Sequence, residues 1–376
     1  KDVAMRSVRG SLQRPVRRID FDSRKVEEGS VFVAVRGTQV DGHQFIDKAI
    51  ENGAVAVVAE ALPEAAPDAV TLIRVADSAE ALCVLAANFF GRPSGQLKLV
   101  GVTGTNGKTT TVTLLHELFA ALGYRSGLLS TIENRIGAQV LPATHTTPDA
   151  VYLNCMLARM VDAGCDYVFM EASSHAIHQR RIAGLQFDGA VFTNISHDHL
   201  DYHKTFRAYI EAKKRLFDDL SPAAFALTNI DDKRGAVMVQ NTRARIYRYG
   251  LRRPADFKAK IVENSLTGLQ LEIDERQFFG RLIGEFNAYN LLAVYAVAVL
   301  LGQDEVEVLT ALSSLRAAEG RFDYVYDRAR QVTAIVDYAH TPDALEKVLG
   351  TIQQVKSGNA RVLTVVGCGG DRDQAK

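Results

Sequence analysis

The segment Thr103-Gly104-Thr105-Asn106-Gly107-Lys108-Thr109-Thr110 sets two glycines, a lysine and paired threonines directly after the apolar run Leu97 to Thr103. Glycines let backbone N–H groups turn toward an anion, a helix start adds positive potential, a lysine reaches outer phosphates, and a threonine hydroxyl suits Mg2+. The segment therefore reads as a phosphate-cradling loop, with Gly104, Thr105, Asn106, Gly107, Lys108, Thr109 and Thr110 as candidate phosphate contacts. It departs from the spacing G-x-x-x-x-G-K-[ST], because Val102 stands where the first glycine would be. The competing reading, a Gly-rich turn with an incidental lysine, does not explain why strand, glycines, Lys-Thr and helix coincide.

Glu171 follows the apolar run Tyr167 to Met170 and precedes Ser173, Ser174 and His175. Carboxyl ends of parallel strands line the ligand crevice, so Glu171 is expected on the same edge as the phosphate loop, as a Mg2+ ligand. Capping of the next segment is the plainer alternative. The run Thr193-Asn194-Ile195-Ser196-His197-Asp198-His199-Leu200-Asp201-Tyr202-His203 follows another apolar strand. No cysteine nearby completes a closed zinc set, and hydroxyls and carboxylates are companions of Mg2+. One histidine assisting a second Mg2+ is the favoured reading; loop packing is the alternative for each histidine taken singly.

These residues need a scaffold. From Leu97 the chain alternates strand and helix: Leu97 to Thr103, Thr109 to Leu122, Tyr167 to Met170, Ala190 to Asn194, Phe206 to Leu216 and Ala224 to Thr228. Such alternation predicts a largely parallel α/β sheet. A β-rich stretch, Phe257 to Leu282, and an Ala/Val/Leu-rich helix, Asn287 to Leu301, follow. Upstream, β-rich Ser30 to Val35 and Ala54 to Ala59 with helical Phe45 to Asn52 and Ala79 to Phe90 predict a small α/β module. Turn formers from Gly91 to Gly95 read as a linker. Downstream, Val332 to Val336 and Arg361 to Val366 are expected strands around a helix from Pro342 to Ile352. The predicted domains are 1–92, 93–318 and 319–376, the last incomplete, since two strands and one helix do not close a domain.

With 376 residues, two or three domains are expected. The 44 lysines and arginines balance 44 aspartates and glutamates, which gives a general nucleic-acid coat or polybasic membrane surface no support. Cys83, Cys155, Cys165 and Cys368 lack C-x-x-C spacing, which disfavours a zinc ribbon or a disulfide framework and predicts reduced thiols in the cytoplasm. No apolar run reaches the roughly 20 residues of a membrane span. The start at Lys1 instead of Met suggests a trimmed chain.

The loop TGTNGKTT, the segments MEASSHAIHQRR from Met170, TNISHDHLDYH from Thr193, EAKKRLF from Glu211, GEFNAYNLLA from Gly284, EGRFDYV from Glu319 and DYAHTPDAL from Asp337 together resemble the Mur ligase family. With DSRKVEEGSVFVAVRGTQVDGH from Asp22, their order is most similar to the branch that adds the third amino acid to UDP-N-acetylmuramoyl-L-alanyl-D-glutamate. The resemblance spans almost the whole chain. It implies a three-domain architecture: a small N-terminal UDP-binding domain, a central parallel-sheet ATPase domain and a C-terminal Rossmann-like domain.

It also implies an activity: MgATP phosphorylates a carboxylate to an acyl phosphate, and an amino acid's amine then displaces phosphate. By that resemblance Lys108, Glu171, His199 and Lys213 are the catalytic set. Thr109 and Glu171 hold one Mg2+, and His199 with Lys213, as a carbamate formed from CO2, holds a second. An ammonium would repel a dication, whereas a carbamate is anionic; Lys214 is the competing lysine, and a solvated helix lysine the plain one. Asn290, Arg321 and Asp337 are implied ATP contacts, with surface salt bridging the alternative for the last two. Asn287 reads as a helix cap. Ser23, Thr38, Gln39, Thr146, Thr147, Ser173, Gln179 and Arg181 are implied contacts to the UDP-muropeptide. The expected amine donor is a diamino acid, meso-diaminopimelate before L-lysine, and the expected assembly a monomer in the cytoplasm. A folylpolyglutamate-synthetase-like ligase and a non-catalytic nucleotide-binding fragment are the alternatives.

Overall fold

The computed structural model describes residues 2–37, 40–356 and 358–367. They form two compact units: Lys1–Leu97 with Thr147–Asp162 and His175–Gln186, and Lys98–Thr146 with Ala163–Ser174 and Phe187–Lys376.

The first unit carries a five-stranded sheet built from β1 (Met5–Arg9), β2 (Arg18–Asp20), β3 (Ser30–Val33), β4 (Ala54–Ala59) and β5 (Thr71–Val75), ordered β1-β5-β4-β3-β2. Only β1 runs antiparallel to its neighbour. Alternating side chains serve opposite faces. Val31, Val33, Ala56 and Val58 pack with Ala81 and Leu82 of the helix Ser78–Phe89, while Phe32, Val57, Ala59 and Leu72 pack with Ile46 and Ala49 of the helix Ile46–Glu51. Burial on both faces explains why β3 and β4 read as unbroken apolar runs. The expected linker Gly91 to Gly95 is tied down: Pro93–Gly95 is a 3-10 turn, and Ser94 Oγ accepts from Gln186 N at 3.1 Å.

The second unit is organised by an eleven-stranded sheet. Its strands are β6 (Lys98–Thr103), β7 (Ser126–Leu129), β8 (Glu133–Ile136), β9 (Gln139–Pro142), β10 (Tyr167–Glu171), β11 (Gly189–Phe192), β12 (Phe225–Asn229), β13 (Arg245–Gly250), β14 (Phe257–Ser265), β15 (Gly268–Ile273) and β16 (Arg276–Gly280). The order β16-β15-β14-β13-β12-β11-β6-β10-β7-β8-β9 places β6 between β10 and β11. From β7 through β14 in this order every pairing is parallel, and antiparallel hairpins extend both edges. The register sets Val102 beside Glu171 and Thr103 beside Phe192, so the carboxyl ends of three central strands open on one edge. Helices Lys108–Ala121 and Glu285–Leu300 lie in the main core with Leu114, Leu118, Leu291 and Val294.

The same unit ends in a hairpin of β17 (Asp323–Asp327) and β18 (Val332–Val336), then the helix Pro342–Val355, whose first turn is capped by Thr341 Oγ1 accepting from Ala344 N at 3.3 Å. The expected strand Arg361 to Val366 does not form. No described strand lies alongside to complete its backbone hydrogen bonds, and Val365 is 99% exposed.

Candidate active site

β6 hands over to the helix Lys108–Ala121 through Gly104–Gly107. Gly107 has φ +87, and a Cβ there would come within 2.5 Å of Asn290 Oδ1, so only glycine lets the loop pass this close. The loop is braced from β11's end. Asn106 O accepts from Thr193 Oγ1 at 2.7 Å and Asn194 Nδ2 at 3.0 Å, Asn106 N donates to Asn194 Oδ1 at 3.1 Å, and Thr105 N to Asn194 O at 2.8 Å. Thr105 Oγ1 lies 3.1 Å from the Tyr209 hydroxyl. Thr110 is buried in the helix's first turn.

Lys108 Nζ donates to Gly104 O at 2.9 Å and Thr105 O at 2.8 Å. Burial holds its ammonium below the usual lysine range. Lys213, in the helix Phe206–Asp218, is 1% exposed and donates to Gly104 O at 2.8 Å, with Nζ 4.7 Å from the Tyr209 ring centroid. Burial first, then Lys108's charge, push the Lys213 pKa well below 10.5. The competing lysine is occupied elsewhere: Lys214 Nζ pairs with Asp218 at 2.5 Å.

Glu171 sits at the end of β10, where its Oε1 accepts from Thr109 Oγ1 and Thr131 N, both at 2.8 Å. Thr131 Oγ1 in turn donates to Thr146 Oγ1 at 3.0 Å, and Ser173 stands two residues beyond Glu171. Arg321 Nη2 donates to Thr109 Oγ1 at 3.1 Å, and its guanidinium lies 4.6 Å from the Tyr338 ring. Arg321 Nε is buried with no partner among the described residues, a donor still available for an anion.

His199 adopts the left-handed conformation (φ 53) and lies 3.4 Å from Asp198 Oδ2 through Nε2. Asp198 is buried, and its charge opposes the loss of protons from both Lys108 and Lys213. His197 stacks on Phe206 at 4.8 Å, and His203 packs against Tyr209 at 5.3 Å. Asn290 Nδ2 donates to Asn287 Oδ1 at 3.0 Å beside the phosphate loop. Asn287 donates to Ile283 O at 2.9 Å and does not cap the helix; Gly284 occupies that position. Asp337 clamps a turn, accepting from Phe322 N and Ala339 N at 2.7 Å each.

The first unit holds the remaining candidates. Arg181 Nη1 donates to Thr147 O at 2.9 Å, and Gln179 Oε1 accepts from Arg181 Nε at 3.0 Å and Nη2 at 2.6 Å. Ser23 opens a 3-10 turn and its carbonyl accepts from Asn52 Nδ2 at 2.9 Å. Thr38 and Gln39 lie outside the described residues. Sequence reading passed over Thr131, Asp198, Tyr209 and Asp343, whose side chains or amides hold the named residues. Asp198 and Asp343 had a visible signal, the first standing inside the histidine run and the second inside DYAHTPDAL.

A Mg2+ ion fits the Thr109–Glu171 pair by donor chemistry: a hydroxyl and a carboxylate, hard oxygens at a strand end. Among the described residues no group of three or more His, Cys, Asp or Glu side chains is gathered as a metal-binding set. A second ion fits His199 and Lys213 only if the lysine carries an anionic group.

Parallel strands ending in a glycine loop, a helix-start lysine and a Thr–Glu pair define a phosphate-loop α/β domain. Three family models match in order: Mur ligase family, catalytic domain, over 15–90; Mur ligase middle domain over 102–298; and Mur ligase, glutamate ligase domain, over 320–376. The UDP-N-acetylmuramoyl-L-alanyl-D-glutamate--2,6-diaminopimelate ligase of Cytophaga hutchinsonii is 60% identical over 375 residues, covering 100% of this chain and 77% of its own. The protein of the same name from Parabacteroides distasonis is 54% identical, with 99% and 78% covered. A solved structure of a ligase of that name superposes with a TM-score of 0.80 at 33% identity, covering 96% of this chain and 74% of the other. The chain belongs to the Mur ligase family.

Proposed function

We propose that this protein is an ATP-dependent, ADP-forming amide ligase of peptidoglycan precursor synthesis. It joins meso-diaminopimelate to the γ-carboxyl of D-glutamate in UDP-N-acetylmuramoyl-L-alanyl-D-glutamate. The observation that carries this reading is the 60% identity to the Cytophaga hutchinsonii ligase over the whole chain. The convergence of Lys108, Lys213, Thr109 and Glu171 at the centre of the sheet supports it. We also propose that it acts as a cytoplasmic monomer, with domains at 1–92, 93–318 and 319–376; among the described residues no helix is long and apolar enough to cross a membrane.

In the first step a carboxylate oxygen of the substrate attacks the γ-phosphorus of ATP, giving an acyl phosphate and ADP. In the second the amine attacks the acyl carbon, and phosphate leaves as the amide forms. Phosphoryl transfer demands positioning and charge neutralisation. Lys108 exchanges the Gly104 and Thr105 carbonyls for the outer phosphates, Gly104 to Thr110 wrap the phosphate chain, and Arg321 adds its unpartnered Nε. Asn290 and Asp337 complete the nucleotide contacts in this reading. Thr109 and Glu171 hold one Mg2+, and His199 with carbamylated Lys213 the other; bound Mg2+ supplies neutralisation of the growing phosphate charge. A neutral Lys213 amine forms an N–C bond with CO2 and loses one proton, which reverses the sign of the side chain. Ser23, Thr38, Gln39, Thr146, Thr147, Ser173, Gln179 and Arg181 are assigned to the UDP-muropeptide, Arg181 as the carboxylate partner.

Phosphate release from ATP tests the reading, with UDP-N-acetylmuramoyl-L-alanyl-D-glutamate and, in turn, meso-diaminopimelate, L-lysine and glutamate. Release is expected only with the UDP-dipeptide and diaminopimelate together, and Lys108→Ala should abolish it. Release with L-lysine alone would reassign the donor. Release with a folate and glutamate would replace the reading with that of a folylpolyglutamate-type ligase.

A further inference from the structure

Asp343 stands in the first turn of the helix Pro342–Val355, where an acidic side chain is ordinary helix chemistry. Its hydrogen bonds are not. Asp343 Oδ2 accepts from Asn106 Nδ2 at 3.0 Å, Ser196 Oγ at 3.2 Å and Lys347 Nζ at 2.9 Å. One carboxylate oxygen thus joins the phosphate loop, the loop after β11 and its own helix. The backbone of Asn106 is fixed from Thr193 and Asn194, but its side-chain amide is held by Asp343. The helix is anchored at points and not along a face: the capping Thr341 and, within the helix, Thr351 are buried, and a Cβ on Gly284 would come within 2.9 Å of Thr351 Cγ2.

We propose that Asp343 is a positioning residue that makes the shape of the phosphate loop depend on the seating of the Pro342–Val355 helix. A charged acceptor shared by two loops is worth more than a neutral one, and its removal leaves the Asn106 amide without that anchor. Nucleotide is then bound tightly only when this helix is docked, because the loop that cradles the phosphates is completed from a segment far along the chain. The inference rests on the ATP-binding reading of Gly104 to Thr110.

The test titrates a non-hydrolysable ATP analogue with Mg2+ into the wild-type protein, Asp343→Asn, Asn106→Ala and the double variant, followed by steady-state kinetics. Asp343→Asn should weaken the analogue about fivefold or more and raise KM for ATP in step, while kcat at saturating ATP falls less than about threefold. The double variant should be no worse than the poorer single one. Asp343→Glu should recover part of the affinity. Analogue affinity within twofold of wild type for Asp343→Asn, or losses that multiply in the double variant, would overturn the proposal. If Asp343→Asn does not fold, Ser196→Ala removes another donor to the same oxygen and should weaken the analogue by about threefold; no change there overturns it equally. A wild-type protein that binds no analogue would instead overturn the ligase reading.

Discussion

Lys108 and Lys213, 105 residues apart in sequence by 213 − 108, aim their ammonium groups at the same Gly104 carbonyl, at 2.9 and 2.8 Å. Two cations over one neutral acceptor form an arrangement that is relieved when a phosphate takes Lys108 or when Lys213 loses its charge. The second route is the easier for Lys213, since burial and Lys108 together lower its pKa.

That relationship fixes a pH dependence. Lys213 titrates below 10.5 in the folded protein, so between its lowered value and 10.5 the unfolded chain binds more protons. Stability of the uncarbamylated protein therefore rises with pH through this window and is lost as pH falls through the lowered value. In CO2-free buffer Tm should climb as pH rises toward 10.5, and less so for Lys213→Met. Identical slopes for the two proteins would show that Lys213 contributes no such proton uptake.

Turnover offers an independent check on the same side chain. Lys213→Ala should lose roughly 100-fold in phosphate release, the scale of removing one electrostatic contributor. Short-chain carboxylates that refill the anionic slot should restore part of it. Normal turnover in the variant would remove the carbamate from the mechanism.

Arg321 bridges two parts of the same unit by holding Thr109 and stacking on Tyr338. Arg321→Ala should raise KM for ATP by about tenfold, the order expected for losing a charge-assisted hydrogen bond, with KM for the UDP-dipeptide little changed. An unaltered ATP dependence would sink the assignment.

Gly107 and Gly123 allow strain to be separated from crowding. Both have positive φ, +87 and +90, but a Cβ on Gly123 meets nothing within 4 Å. Gly123→Ala should cost about 1 kcal/mol for backbone strain alone, and Gly107→Ala about 1–3 kcal/mol more as Asn290 is displaced. Urea denaturation of both variants measures the difference, and equal losses would show that Asn290 gives way freely.

Much of the site was legible because its chemistry is local. The apolar strand, glycines and Lys-Thr of residues 97–110 are consecutive, and Glu171 ends a second apolar strand. What was not legible is long-range. Nothing near Gly104 announces that Lys213 will share its carbonyl, or that Thr131 will donate its backbone amide to Glu171. The helix Ala150–Asp162 did carry a signal, with Leu153, Met156, Leu157 and Met160 buried at helical spacing. The strand β17 hid behind Asp323 and Asp327, and the failed strand Arg361 to Val366 shows that an apolar run does not disclose whether a partner is present.

The position of β6 carries a consequence for biogenesis. A ribosome completes β6 well before either of its lateral neighbours, β10 and β11, exists as polypeptide. The nascent chain must keep this apolar strand unpaired during the synthesis of the following 60 or so residues, when non-local pairing is slow and aggregation competes. The strand that presents the phosphate loop thus waits longer for a neighbour than any other described strand.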